Sequence, residues 1–126
     1  PPSFNYLAEN IFIASTKILV PLIPTTLSIL NHHQLTNFFE KEKYDLNKIH
    51  AFFSMVDARK NIHISTRKST RKNYKRILES EIPYLSLIEK MGAERSPVVA
   101  FAENSNAAID YRNLWKEVKL RVLKLV

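Results

Sequence analysis

Four histidines, His32, His33, His50 and His63, are the first candidates for acid–base or metal chemistry in this chain of 126 residues. None has a partner at a metal-ligand spacing such as H-E-x-x-H, so all four read as ordinary structural or surface histidines. No serine sits in a G-x-S-x-G turn, which leaves a serine nucleophile without support. The absence of cysteine excludes disulfides and thiolate metal sites. Gly92 is the single glycine. Phosphate-cradling loops and dinucleotide fingerprints need several glycines at fixed spacing, so neither occurs here.

Two places remain where the chain could hold a ligand. In open α/β sheets, ligands bind beyond the carboxyl ends of the strands. Two β-branched or apolar runs end that way, one at Pro24-Thr25-Thr26 and one at Ser54-Met55-Val56-Asp57-Ala58-Arg59. Each could equally be an ordinary strand-to-helix connection. The second feature is charge. Of 19 basic residues against 12 acidic ones, eight fall between Arg59 and Leu78 with no acid among them. The rest of the chain is close to neutral, so the net charge of +7 belongs to one segment. Read as a helix from Thr66 to Glu79, that segment forms two ridges. One is Arg67, Arg71 and Lys75, and the other is Lys68, Lys72 and Arg76. Like charges at i,i+4 are unfavourable by roughly 0.2–0.5 kcal/mol each. A polyanion relieves that repulsion, and no base-reading motif accompanies the ridges, so DNA contact is expected to be sequence-independent.

The elements that must carry these features follow from periodicity. Phe4–Ser15 reads as a helix capped by Ser3, and Lys17–Pro24 as a short buried strand. Thr25-Thr26 caps a helix to about Glu42, with Leu27, Leu30, Leu35, Phe38 and Phe39 facing inward. Ile49–Val56 is a second buried strand. Ile82–Ile88 is a third short strand or an extended loop, demoted from a central position by Pro83. Gly92–Pro97 reads as a loop. Asn104-Ser105 cap a last helix with an apolar stripe of Ala108, Tyr111, Trp115, Val118, Val122 and Leu125. Strands alternating with helices imply an α/β fold with a parallel sheet, two to three strands flanked by helices. So few strands, and a start at Pro1-Pro2-Ser3, suggest part of a larger domain. The longest apolar run is about six residues, whereas a membrane-spanning helix needs ~20.

Four stretches, in order, carry a resemblance. Pro1-Pro2-Ser3 is similar to the end of a D-x-P-P-S element. Ile18–Thr26 is similar to a "vlvPl.P" strand, and Phe53–Arg59 to an "M-x-D-x-R" strand end. Ile82-Pro83, Glu89, Ser96–Val99, Ser105, Ala108 and Tyr111 are similar to a closing "IP…E…PV…s..a..Y" pattern. Together they resemble the C-terminal half of the ParA/MinD-type deviant Walker ATPases, nearest the ParA partition branch.

The resemblance implies that residues 1–126 are the C-terminal portion of a doubly wound P-loop NTPase fold whose N-terminal phosphate-loop half is absent. It implies ATP and Mg²⁺ in the full-length parent and none in this chain alone, which is expected not to hydrolyse ATP. It further implies non-specific DNA, a ParB-type partner and a homodimer as associates, a cytoplasmic, nucleoid-associated location, no membrane contact, and a role in plasmid or chromosome partitioning. Carried over residue by residue, Ser54, Met55, Asp57 and Pro83 are the contacts on the base side of the nucleotide. Arg67, Lys68, Arg71, Lys72, Lys75 and Arg76 are the DNA contacts. Two departures stand out. Tyr84 follows Ile82-Pro83 where the family often has Arg, and no proline precedes Ser96. Two other readings stay open: a small basic DNA-binding module without enzymatic function, and a MinD-like membrane-associated ATPase.

Overall fold

The computed structural model describes residues 4–125. Its centre is a parallel pair of strands, β1 (Ile18–Leu22) and β2 (Ile49–Phe53), with Ile18 opposite Ile49 and Leu22 opposite Phe53. Side chains alternate across a strand. Ile18, Val20 and Leu22 therefore share one face with Ile49, Ala51 and Phe53. Leu19, Pro21, His50 and Phe52 share the other.

The helices lie on both faces. They are α1 (Tyr6–Ala14), α2 (Thr26–Lys41), α3 (Asn61–Asn73), α4 (Ser86–Glu94), α5 (Val98–Phe101) and α6 (Asn106–Glu117), which runs on as a wider π-wound turn over Val118–Val122. The first face packs Phe39 and Leu35 of α2 on Ile49, and Ala51 and Phe53 against Leu22, Val56 and Ile77. On the second face, Phe52 meets a cluster of Leu78, Ile82, Leu114, Val118 and Val122. Phe39 and Phe53 are fully buried. Cutting either to alanine should cost about 3–5 kcal/mol in lost burial and residual cavity. The expected α/β class, with parallel strands between helices, is what forms.

A third extended segment runs along the far side of β2. Leu78 N donates to Ala51 O at 2.7 Å, and Ala51 N to Arg76 O at 2.9 Å. Further on, Ile82 N reaches Phe53 O and Tyr84 N reaches Val56 O, each at 2.9 Å. Pro83 lies between those two donors. Its missing N–H falls on the outward side, where no ladder bond is lost.

Several expected boundaries move. The basic helix ends at Asn73 rather than Glu79, and Tyr74 is already extended. The reason is period. Ile77 packs with Ala51 and Phe53 on one face while Leu78 packs with α6 on the other, an alternation only a strand allows. Ser3, the expected cap of α1, lies outside the described residues, as do Pro1 and Pro2; Asn5 caps the helix, its Oδ1 accepting from Ala8 N at 2.9 Å. Thr25 and Ser105 cap α2 and α6 as read from sequence. In α2 the inner positions are His32, Leu35 and Phe39, whereas Leu27 is 67% exposed. The Gly92 region is helical, and the chain leaves α4 at Arg95 in the left-handed region (φ 47°). In α6, Leu114 is inside, and Trp115 is 55% exposed.

Candidate functional site

Parallel pairing puts the carboxyl ends of β1 and β2 at one edge of the sheet. There a hollow of about 440 Å³ opens. Ile23 and Thr25 line it from the end of β1, and Met55, Asp57, Arg59 and Lys60 from the loop after β2. His63 of α3 and Tyr84 of the third segment complete it.

The loop is held by specific bonds. Ser54 N donates to Leu22 O at 2.9 Å, carrying the ladder one step past the strand end. Met55 then takes φ 53°, the left-handed conformation that costs a non-glycine residue about 1–2 kcal/mol. Val56 returns to the ladder by donating to Ile82 O at 3.1 Å. The Asp57 carboxylate accepts from Arg59 N, Nε and Nη2, each at 3.0 Å. Those bonds hold its pKa down at about 2. Asp57 N in turn donates to Nδ1 of His63 at 3.0 Å. The Tyr84 hydroxyl donates to Glu89 at 3.1 Å, which pushes its pKa up.

Of the four positions expected on the base side, Met55 and Asp57 line the hollow. Ser54 precedes them, half-buried, with its N–H committed to Leu22. Pro83 lies elsewhere, in a second cavity with Val56, Arg67, Glu81 and Asp110. Its neighbour Tyr84 reaches the hollow instead. Sequence reasoning read His63 as an ordinary structural or surface histidine. The available signal was its place in the first turn of the helix that follows the Asp57 loop.

The basic segment divides by residue type. Arg67 Nη1 and Arg71 Nη2 grip the two oxygens of Glu81 at 2.5 and 2.7 Å. Arg71 also donates to Leu78 O, and its guanidinium lies 5.3 Å from the centre of the Phe53 ring. Arg76 Nε donates to Ile49 O at 3.2 Å. These three arginines are half-buried and tie α3 and the third segment to the sheet. Lys68, Lys72 and Lys75 are exposed and have no ion pair or side-chain hydrogen bond among the described residues. Lys75 lies past the helix end, so neither ridge continues beyond Asn73.

Among the described residues there is no group of three or more His, Asp or Glu side chains that could hold a metal ion. No helix among the described residues is long and apolar enough to cross a membrane.

Comparison with known proteins finds a relative among plasmid proteins. Over 120 residues the chain is 29% identical to a virulence plasmid ParA family protein, pGP5-D, of Chlamydia psittaci. The chain is similar to a ParA family protein. The match covers 94% of this chain and 46% of that relative, so the chain spans about half the length of the curated protein it matches. No protein-family model matches it.

Proposed function

We propose that this chain is the C-terminal portion of a ParA-like partition ATPase. In this reading it supplies the base side of a nucleotide site and a DNA-contacting surface. The observation that carries it is the hollow at the ends of two parallel strands, where α/β sheets bind ligands, formed by the segments that match the relative. Its residues suit a purine. Ile23 and Met55 give apolar walls, Thr25 and Tyr84 bring hydroxyls, and the His63 ring provides an edge.

In the parent, ATP and Mg²⁺ would bring phosphoryl-transfer chemistry, which is mostly positioning and charge neutralisation. The residues of this chain suit the base and not the phosphates, because a single glycine cannot build a phosphate-binding nest. This chain's share is therefore to bind and orient the base. Lys68, Lys72 and Lys75 are the phosphate contacts to DNA. A homodimer and a ParB-type partner belong to the same reading.

Saturation-transfer NMR with adenosine at millimolar concentration tests the nucleotide half. Saturation should reach the purine H2 and H8 protons more than the ribose, and Met55→Asp should abolish it. Absence of transfer from the wild-type chain would remove the hollow as a base site.

A further inference from the structure

The imidazole of His63 is 5% exposed and lines the hollow, yet one of its nitrogens is unaccounted for. Nδ1 accepts the Asp57 N–H at 3.0 Å. A ring nitrogen that accepts from an N–H carries no proton of its own, so the neutral ring holds its proton on Nε2. Among the described residues Nε2 has no hydrogen-bond partner, and it is not among the polar atoms sealed from solvent. The tautomer is thus fixed by the backbone at Nδ1, and the ring that carries the unpartnered Nε2 lines the hollow.

We propose that His63 is the positioning residue of this hollow. It latches the Asp57 turn in its binding shape and presents Nε2–H as the hydrogen-bond donor to an acceptor atom of the occupant. This deepens the base-site reading and rests on it for the identity of the occupant.

Two features make the latch consequential. The loop it holds contains Met55 in the left-handed region, a conformation that persists only where its surroundings fix it. Ladder bonds from Ser54 N to Leu22 O and from Val56 N to Ile82 O fix the loop up to Val56, and beyond Val56 its restraints are fewer. The Asp57 carboxylate is turned back on Arg59 of the same loop, and Lys60 N donates to Asp57 O at 3.1 Å, also within the loop. The bond from Asp57 N to His63 instead joins the loop to α3. On its own helix, His63 is steadied by Arg67, whose Nε donates to His63 O at 3.3 Å. A donor at Nε2 suits an acceptor such as a purine ring nitrogen and disfavours an N–H at the same place. That gives the hollow a preference between bases that its shape alone does not.

The test uses the 126-residue chain and two variants. Asparagine places Oδ1 where Nδ1 stands, so His63→Asn keeps the acceptor for Asp57 N but has no donor at the Nε2 position. His63→Phe keeps the ring and removes both. Long-range ¹⁵N spectra of the wild type should show the Nε2–H tautomer. Amide exchange at Asp57 should be nearly unchanged in His63→Asn and roughly five- to tenfold faster in His63→Phe, as expected for one lost hydrogen bond. Equal exchange in the two variants, or an Nδ1–H tautomer, overturns the latch. With adenosine as probe, both variants should bind roughly five- to tenfold more weakly than wild type. Wild-type affinity in His63→Asn overturns the donor role while leaving the base site standing. If adenosine shifts no wild-type amide around Met55, Asp57 and Tyr84, the base-site reading and the donor role fail together, whereas the tautomer and exchange results still decide the latch.

Discussion

The division of the basic segment into gripping arginines and free lysines makes a prediction that no reading of total charge would make. Two variants separate the roles: Lys68→Ala/Lys72→Ala/Lys75→Ala, and Arg67→Ala/Arg71→Ala. Each phosphate contact contributes about −0.9 to the slope of log K against log salt. Loss of three lysine contacts should therefore flatten the slope by roughly 2.7 in a titration of labelled random-sequence duplex. The lysine variant should keep its stability within about 0.5 kcal/mol, since it changes exposed side chains and relieves the like-charged 68/72 pair. The arginine variant should do the reverse. Glu81 loses two partners at 2.5 and 2.7 Å, Leu78 O loses a donor, and the Phe53 ring loses a stacked guanidinium. Because these groups are about a quarter exposed, a loss of about 2–4 kcal/mol is expected rather than the full cost of breaking a deeply buried pair. For a chain of this size that lowers Tm by roughly 8–16 °C. Where the arginine variant remains folded, its salt slope should stay close to wild type. An arginine variant with a flattened slope and an unchanged Tm would refute the division, and equal slopes for the lysine variant and wild type would remove this face from DNA contact.

Further outcomes follow from single sites. Arg95 ends α4 at φ 47°, so Arg95→Gly should stabilise by up to about 1 kcal/mol, the relief of left-handed strain less the added chain entropy, read by thermal or denaturant melts. Glu117 accepts from Glu79 N and Ser80 N at 2.8 and 2.7 Å; burial raises its pKa, but those bonds and the one from Arg121 outweigh it and lower the net value. Glu117→Ala leaves the part-buried Ser80 N–H without its partner and the exposed Glu79 N–H to water, and should cost about 1–3 kcal/mol in a denaturant melt. His32 is buried with Nδ1 unpartnered, and burial first, then Arg76 and His33, lower its pKa. A lowered histidine pKa means the unfolded chain takes up the proton first, so stability is full above about pH 6.5 and falls as pH drops below it. His32→Phe should flatten that fall in melts from pH 7 to 5. Asp57, with its pKa at about 2, should keep its bonds to Arg59 down to about pH 4 and release them as pH falls through 2, visible in carboxyl NMR titration.

The α/β class and the caps of α2 and α6 were legible because each rests on local chemistry, whereas α1 is capped by Asn5 and not by the expected Ser3. Thr25 and Ser105 bond the first-turn amides of the helices they precede, and the apolar runs from Ile18 and Ile49 became the two strands. What misled was a pattern whose two halves obey different periods. Arg67, Lys68, Arg71 and Lys72 keep helical spacing, and nothing in the local sequence marks Tyr74 as the point where the period changes to two. The partner that imposes the change, β2, lies more than twenty residues upstream, so a local window cannot contain it. The same holds at the strand ends. Met55 and Asp57, carried over from the resemblance, line the hollow, whereas Tyr84 rather than Pro83 reaches it, because the register of the third segment against Val56 decides which side chain faces that way. His63 read as ordinary because its ring meets a backbone N–H six residues earlier, and a histidine in sequence carries no mark of what its ring nitrogens meet.

The single glycine adds a physical thread to these observations. A chain with Gly92 alone must make its left-handed turns from other residues, and Lys43, Met55, Arg95 and Lys124 all have positive φ. Three of these are long cationic side chains that reach solvent from a tight turn, whereas Met55 is apolar and sits over the hollow. Met55→Gly separates the two demands made on that position. Relief of about 1–2 kcal/mol of strain offsets a glycine entropy cost of about 0.5–1 kcal/mol, so stability should change by less than about 1.5 kcal/mol. Adenosine contact should nonetheless weaken, because one of the two apolar side chains lining the hollow is gone. Met55→Ile keeps the apolar surface but puts a β-branched side chain at φ 53°, and it should destabilise by more than about 2 kcal/mol. If the glycine variant binds adenosine as wild type does, Met55 serves only the turn, and the hollow owes its wall to Ile23 alone.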